Sequence, residues 1–172
     1  MTEPQPRAPR VIVATVNVGR ASVHEDVPKL VAEELKAAGL RFIRGVTVNR
    51  EKQFIQQLVS NIGNENEADA LILIGGVGIG PRDYTCEAVD ALADQRIEGF
   101  GEAYRQLLRT ELNVGASAFL QRATAGIYNK CLVFALPRQP EAVRLALRML
   151  VIPALADAVR IVVGLPKPPP VA

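Results

Sequence analysis

An ordered alternation of segments narrows the fold more than any other feature of this chain. Three short apolar runs, "RVIVATV" (10–16), "RFIRGVTV" (41–48) and "ALILIGG" (70–76), are separated by stretches with apolar residues at helical spacing. The first run is β-branched, and the third is continuously apolar, as strands of a parallel sheet covered on both faces tend to be. Between the first two, "EDVPKLVAEELKAAGL" (25–40) sets Leu30, Val31, Leu35 and Ala38 on one helical face. Asp26 suits the cap of this helix, Pro28 is tolerated in its first turn, and Gly39 ends it. After the second run, Asn49 is expected to cap a helix through Ile62, with Phe54, Ile55, Leu58, Val59 and Ile62 inward.

"GNENEAD" reads as a solvated turn rather than a metal site. A helix from Thr85 to Ala93 follows the third strand, with helical segments near 101–111 and 116–121. "TAGIYNKCLVFALP" predicts two short strands around Asn129 and Lys130, and helices over 141–150 and 153–162 complete the chain. The βαβαβα order predicts a three-layer α/β/α domain with a mostly parallel sheet over residues 10–164. The proline-rich ends, residues 1–9 and the tail "LPKPPPVA" (165–172), are expected to be extended or disordered.

Composition excludes several functions. At 172 residues the chain fits one domain, and a net charge of +2 with five Phe, three Tyr and no Trp argues against nucleic acid. No apolar stretch approaches the roughly 20 residues of a membrane span, so no membrane partner is expected. "MTEPQPRAPR" lacks an apolar signal core, which predicts a cytoplasmic protein. Cys86, Cys131 and the single histidine, His24, make neither a disulfide framework nor a typical zinc site. Cys131, within "CLVFAL", reads as a buried structural thiol. His24 lies far from any nucleophile, which disfavours a histidine-activated mechanism.

Chemistry concentrates in "LILIGGVGIGPRDYTCEA" (71–88). In open α/β sheets ligands sit beyond the carboxyl ends of the strands, and the third strand delivers its glycines there. Gly75, Gly76, Gly78 and Gly80 let backbone N–H groups approach an anion, and the following helix start adds partial positive charge. Yet the stretch has neither the Gly-Lys-Ser/Thr of a Walker loop nor a strict GxGxxG, and Pro81 removes a donor. The residues alone leave a phosphate loop and a plain tight turn both open. Thr85 suits a helix N-cap. Asp83 fits either turn formation or Mg²⁺ held beside phosphates. Arg82 fits either a phosphate fork or a surface ion pair.

"DALILIGGVGIGPRDYTCEAV" resembles the pattern D-hydrophobic-GGTG-x-x-x-RD-x-T-x-EA of the MoaB/Mog molybdenum-cofactor biosynthesis proteins, relatives of the gephyrin G domain. "IEGFGEAYRQL" (97–107) is similar to the family's Pro-Gly-Phe-Gly-Glu segment. "GASAFLQRATAGIYNKCLVFALPRQPEAVRLAL" is similar to its Ser-Ala-x-Leu-x-Arg-Ala-x-Ala-Gly segment and Leu-Pro-Gly-x-Pro loop, and "TVNVGRASVHED" to its first strand and loop. The resemblance spans residues 10–160. It implies adenylylation of molybdopterin: the pterin's phosphate attacks the α-phosphorus of Mg-ATP, releasing pyrophosphate. It further implies that nucleotide and pterin meet at Gly75, Gly76, Val77, Gly78 and Gly80 with Arg82 and Thr85. Asp83 would be the catalytic, metal-holding carboxylate, and Pro137, Arg138, Gln139 and Pro140 would line the pterin side. Family members are commonly trimers, some assembling into hexamers.

Several positions depart from the pattern. Val77 stands where the family has Thr, Arg138 where it has Gly, and Val27-Pro28 where it has Ser-Gly. Arg50 falls where catalytic relatives carry a carboxylate. These changes set a second reading beside the first: a catalytically degenerate member acting as an oligomeric scaffold or regulatory module.

Overall fold

A computed structural model describes residues 7–17 and 26–166. His24, residues 1–6 of the leader and residues 167–172 of the tail lie outside the described residues. Six strands form one sheet in the order β2-β1-β3-β6-β5-β4. They are β1 (Arg10–Asn17), β2 (Arg41–Asn49), β3 (Ala70–Ile74), β4 (Gln95–Arg96), β5 (Thr124–Tyr128) and β6 (Cys131–Leu136). β2, β1, β3 and β6 run parallel, while β5 pairs antiparallel with both neighbours. The expected mostly parallel sheet is therefore present.

Alternate residues of the central strands feed two separate cores, as the two-residue side-chain period requires. Val11, Val13, Ile72 and Ile74 face α1 (Val27–Ala37), α4 (Phe100–Glu111), α5 (Pro140–Ala146) and α6 (Ile152–Val162). Ile12, Ala14, Leu71 and Leu73 face α2 (Lys52–Asn64) and α3 (Thr85–Leu92). All five residues of β3 are buried, because helices cover both of its faces. The third layer is thus explicit: sheet in the middle, helices on either side.

The elements follow the sequence expectation closely, with instructive exceptions. Asn49 does not cap α2; it stays in β2 opposite Asn17, and Glu51 takes the cap position. One more rung of parallel ladder displaces the local capping preference. Asp26 does occupy the cap position of α1, without a side-chain cap bond, and Gly39 (φ +75°) turns the chain out beyond the helix. Asn129 and Lys130 both adopt positive φ (43° and 68°), the tight turn that joins β5 to β6. The expected break near residues 151–152 is a π-helical turn (Leu147–Val151) between α5 and α6. Pro153 cannot donate to the preceding turn, and a widened turn lets the helix pass through it. β4 is two polar residues long and carries no periodic signal to read.

The "GNENEAD" turn is less solvated than expected, because Asp69 is 6% exposed. Its carboxylate accepts the Arg10 backbone N–H at 2.7 Å and hydrogen bonds from the Arg7 and Arg10 side chains. The Pro9 carbonyl accepts the Arg41 N–H at 3.0 Å, so residues 7–10 are tied to the domain. Burial alone would raise the Asp69 carboxyl. The Arg10 hydrogen bonds and the Arg10 and Arg7 charges outweigh it and hold the group below the usual carboxylate range. A depressed folded value means this stabilisation is complete above the unfolded pKa of about 4 and is lost as pH falls through the folded value. Urea unfolding should therefore show stability dropping below about pH 4, and Asp69→Asn should flatten that acid limb while costing about 1–3 kcal/mol at pH 7.

Candidate functional site

Register brings the site together. Ile74 at the end of β3 lies level with Thr15 of β1 and Leu136 of β6. The chain exits after these residues, at Val16–Asn17, Gly75–Gly76 and Pro137–Arg138, consequently share one sheet edge. The Gly75 N–H donates to the Leu136 carbonyl at 2.9 Å, which ties two of the exits together.

Gly75 (φ +102°) and Gly76 (φ +68°) occupy the left-handed region, where a side chain is strained. Thr85 enforces that path. Its hydroxyl donates to the Gly75 carbonyl at 2.8 Å and its N–H to the Gly76 carbonyl at 2.9 Å. A Cβ at Gly76 would overlap the Thr85 hydroxyl oxygen. Thr85 was expected to cap α3, but Tyr84 holds the cap position and Thr85 is the first helical residue, fully buried. Its hydroxyl serves the loop, since the strand's return brings an orphaned carbonyl within reach.

Asp83 builds the far side of the loop. Its Oδ2 accepts the Gly80 N–H at 2.9 Å, and its own N–H donates to the Gly80 carbonyl at 3.1 Å. Oδ1 makes no hydrogen bond among the described residues. A Cβ at Gly78 would stand 2.5 Å from Oδ2, and one at Gly80 2.8 Å, so both glycines clear room for this carboxylate. Arg82 is exposed at the tip, without an ion pair among the described residues. Val77 points the other way: its side chain is buried in the apolar layer with Val16, Cys86 and Val89, leaving only its backbone to the loop.

One residue that holds the loop escaped the reading of the sequence. Arg122, just before β5, donates from Nε to the Val77 and Gly78 carbonyls at 3.1 Å each. Its Nη2 donates to the Gly78 carbonyl at 2.7 Å and the Asp83 carbonyl at 3.3 Å, and its Nη1 pairs with Glu87. The hydrogen bond from Arg122 holds the Glu87 carboxyl below its ordinary range. This planar fork gathers the Val77, Gly78 and Asp83 carbonyl oxygens on one side of the loop. Arg122 does fall within the segment that resembles Ser-Ala-x-Leu-x-Arg-Ala. No spacing rule, however, links it to a loop 45 residues earlier.

The Pro137–Pro140 loop, expected to line the pterin side, lies beside the glycines. Pro137 is buried, Gln139 caps α5, and Pro140 begins it. Gln139 and Pro140 also border an open cleft of about 540 Å³ with Leu108, Leu112, Val114 and Gln121. Arg138 turns back toward β1 and donates from Nη2 to the Val16 carbonyl. Its Nε would lie 3.0 Å from a Cβ on Gly75. Arg50 follows the end of β2, the outermost strand on that side, so it shares the edge but not the loop. Val27 and Pro28 form the first turn of α1.

No group of three or more His, Cys, Asp or Glu side chains is placed to hold a metal among the described residues. Among the described residues Asp83 alone offers an unpaired carboxylate at the loop, since Glu87 is engaged by Arg122. That donor set fits Mg²⁺, which is commonly held by one carboxylate with phosphate oxygens and water completing the shell. Cys86 and Cys131 are both buried, and burial pushes each thiol up to about 12, so neither is a nucleophile. No helix among the described residues is long and apolar enough to cross a membrane.

This three-layer α/β fold is shared with solved structures of molybdenum cofactor biosynthesis proteins. The model of that family, described as a probable molybdopterin binding domain, matches residues 15–157. The chain is 36% identical to molybdenum cofactor biosynthesis protein B of Bacillus cereus, over 90% of this chain and 93% of that one. It is 37% identical to the Bacillus subtilis protein of the same name, over 92% and 94%. Among solved structures, the MoaB molybdopterin biosynthesis enzyme of Thermus thermophilus superposes with a TM-score of 0.79 at 28% identity, covering 92% of this chain and 98% of that one. The chain belongs to the MoaB family of molybdenum cofactor biosynthesis proteins.

Arg122 spans the loop, so Arg122→Ala should destabilise the protein by about 2–3 kcal/mol through lost charge-assisted bonds. Amide hydrogen exchange over residues 76–83 should accelerate in this variant, while that of β3 stays protected.

Proposed function

We propose that this protein binds molybdopterin at the carboxyl edge of its sheet and adenylylates it with Mg-ATP. The observation that carries this reading is the glycine loop itself: Arg122 draws the Val77, Gly78 and Asp83 carbonyls to one side. A phosphate then meets backbone N–H groups rather than carbonyl oxygens on the other. The pterin ring system would occupy the cleft bordered by Gln139 and Pro140. In the reaction, an oxygen of the pterin's phosphate forms a bond to the α-phosphorus of ATP as the bond to the β-phosphate breaks and pyrophosphate leaves.

This chemistry asks little of side chains beyond alignment and charge stabilisation. Asp83 is the residue we assign to hold Mg²⁺, through the oxygen that Gly80 does not engage. The bound ion would neutralise charge on the phosphates of the nucleotide. The same reading has the protein working as a cytoplasmic homotrimer or hexamer. The exposed apolar side chains Phe119 (71%), Ile79 (66%) and Ile161 (66%) support subunit contacts.

A second reading, a binding or scaffold module without turnover, is favoured by the placement of Val77 and Arg50. Val77 buries an apolar side chain where the family pattern has a hydroxyl, and Arg50 puts a cation where catalytic relatives carry a carboxylate. An adenylylation assay separates the two. Turnover of molybdopterin with Mg-ATP is expected, with Asp83→Asn lowering kcat about 100-fold or more while leaving the fold intact by circular dichroism. Pterin binding without turnover would establish the second reading, and failure to bind molybdopterin at all would remove the first. Sedimentation velocity at micromolar concentration should show a trimer or hexamer, and a monomer would reject the assembly.

A further inference from the structure

Arg138 is an unusual cation for this sheet edge. Its Nη2 donates to the Val16 carbonyl, and its Nε is enclosed without any acceptor. No carboxylate pairs with it among the described residues. Of the other partly buried arginines, Arg10 has Asp69 and Arg122 has Glu87. Arg160, in the last turn of α6 and away from this edge, shares an enclosed Nε without an acceptor among the described residues and donates to the Pro166 carbonyl. Burial alone bears on the Arg138 guanidinium and pulls its pKa down, with no neighbouring anion to oppose the effect. A partly desolvated charge without a counterion is costly, and an incoming anion would relieve that cost.

Position gives that charge a use. The Nε sits against Gly75, on the loop whose carbonyls Arg122 holds to one side. Nη1 makes no hydrogen bond among the described residues. The guanidinium therefore keeps Nη1 uncommitted beside the glycine loop, and its planar fork matches oxyanion geometry.

We propose that Arg138 is a phosphate ligand of the glycine loop, exchanging its hydrogen bond to the Val16 carbonyl for an oxyanion of the incoming phosphate or pyrophosphate group. It supplies from the Pro137–Pro140 loop a donor that the buried Val77 side chain cannot. The inference rests on the reading of the glycine loop as a phosphate site and adds the residue that governs its affinity. It also predicts that pyrophosphate and triphosphate groups bind this chain with a marked dependence on salt, since a charge pair contributes.

The test is calorimetric titration of the full-length protein with inorganic pyrophosphate and with ATP, for wild type, Arg138→Gln and Arg138→Lys, each checked for folding by circular dichroism. Arg138→Gln should weaken pyrophosphate binding about 10- to 100-fold, the loss expected for a charge-assisted hydrogen bond, and reduce its salt dependence. Arg138→Lys, a cation without the fork, should fall between. Wild-type affinity in Arg138→Gln would overturn the inference and leave the phosphate-loop reading standing. Tighter binding in Arg138→Gln would overturn it as well, because Arg138 would then be a plug that ligands must displace. A wild-type protein that binds neither probe would bring down the loop reading together with the inference. Should Arg138→Gln fail to fold, Arg138→Lys decides: a loss of about threefold or more sustains the proposal, and unchanged affinity rejects it.

Discussion

Two hydrogen bonds from Thr85, to the carbonyls of Gly75 and Gly76, determine how the chain leaves the central strand. Without them the loop would have no reason to hold consecutive residues in the left-handed region. With them, β3 stops at the register of Thr15 and Leu136, and α3 begins directly behind the loop. The rest of the edge is arranged around that return. Asp83 folds the tip back onto Gly80, and Arg122 reaches across from just before β5 to collect the carbonyls that the tight path would leave unpaired. Polar groups in a crowded loop must be satisfied, and here two side chains and one arginine fork do most of it.

That arrangement also explains how sequence departures coexist with an intact loop. Val77 loses a hydroxyl relative to the family pattern, yet its side chain never faces the ligand edge; it packs beneath with Cys86 and Val89. Arg138 stands where the family pattern has Gly, and its side chain lies across the exit of β1 and donates to Val16. Arg50 stands at the end of the outermost strand, beyond β1 from the glycines. The backbone cradle and the charged side chains around it thus vary separately: the cradle depends on Thr85, Asp83 and Arg122, the charges on residues from other exits.

Much of the fold was legible because its signals are local. Continuous apolar runs marked β1 and β3, and the spacing of Leu30, Val31 and Leu35 marked α1. Turn chemistry marked the reversal at Asn129 and Lys130. The failures were all places where a partner distant in sequence decided the outcome. Asn49 looks like a cap until β1 lies alongside and extends the ladder, and Thr85 looks like a cap until a glycine carbonyl is brought to its hydroxyl. Asp69 looks solvated until Arg7 and Arg10 enclose it. The helix around Pro153 reads as broken because a π turn depends on packing of the whole helical layer rather than on propensity.

The glycine loop was legible as a backbone able to approach an anion, because glycine is the residue type that permits such a path and its spacing is written in the chain. Its resemblance to a family pattern named the residues at risk. What the sequence by itself determined, then, was the order of strands and helices, the glycine loop that leaves the central strand, and the carboxylate at Asp83. Only the tertiary structure decided which groups face that edge. Whether a side chain such as Val77 points inward, whether Arg122 clamps a loop far behind it in sequence, and whether Arg138 is left without a counterion all depend on strand register and on which exits become neighbours. Those relations come from packing layers against a sheet, and no window of sequence contains them.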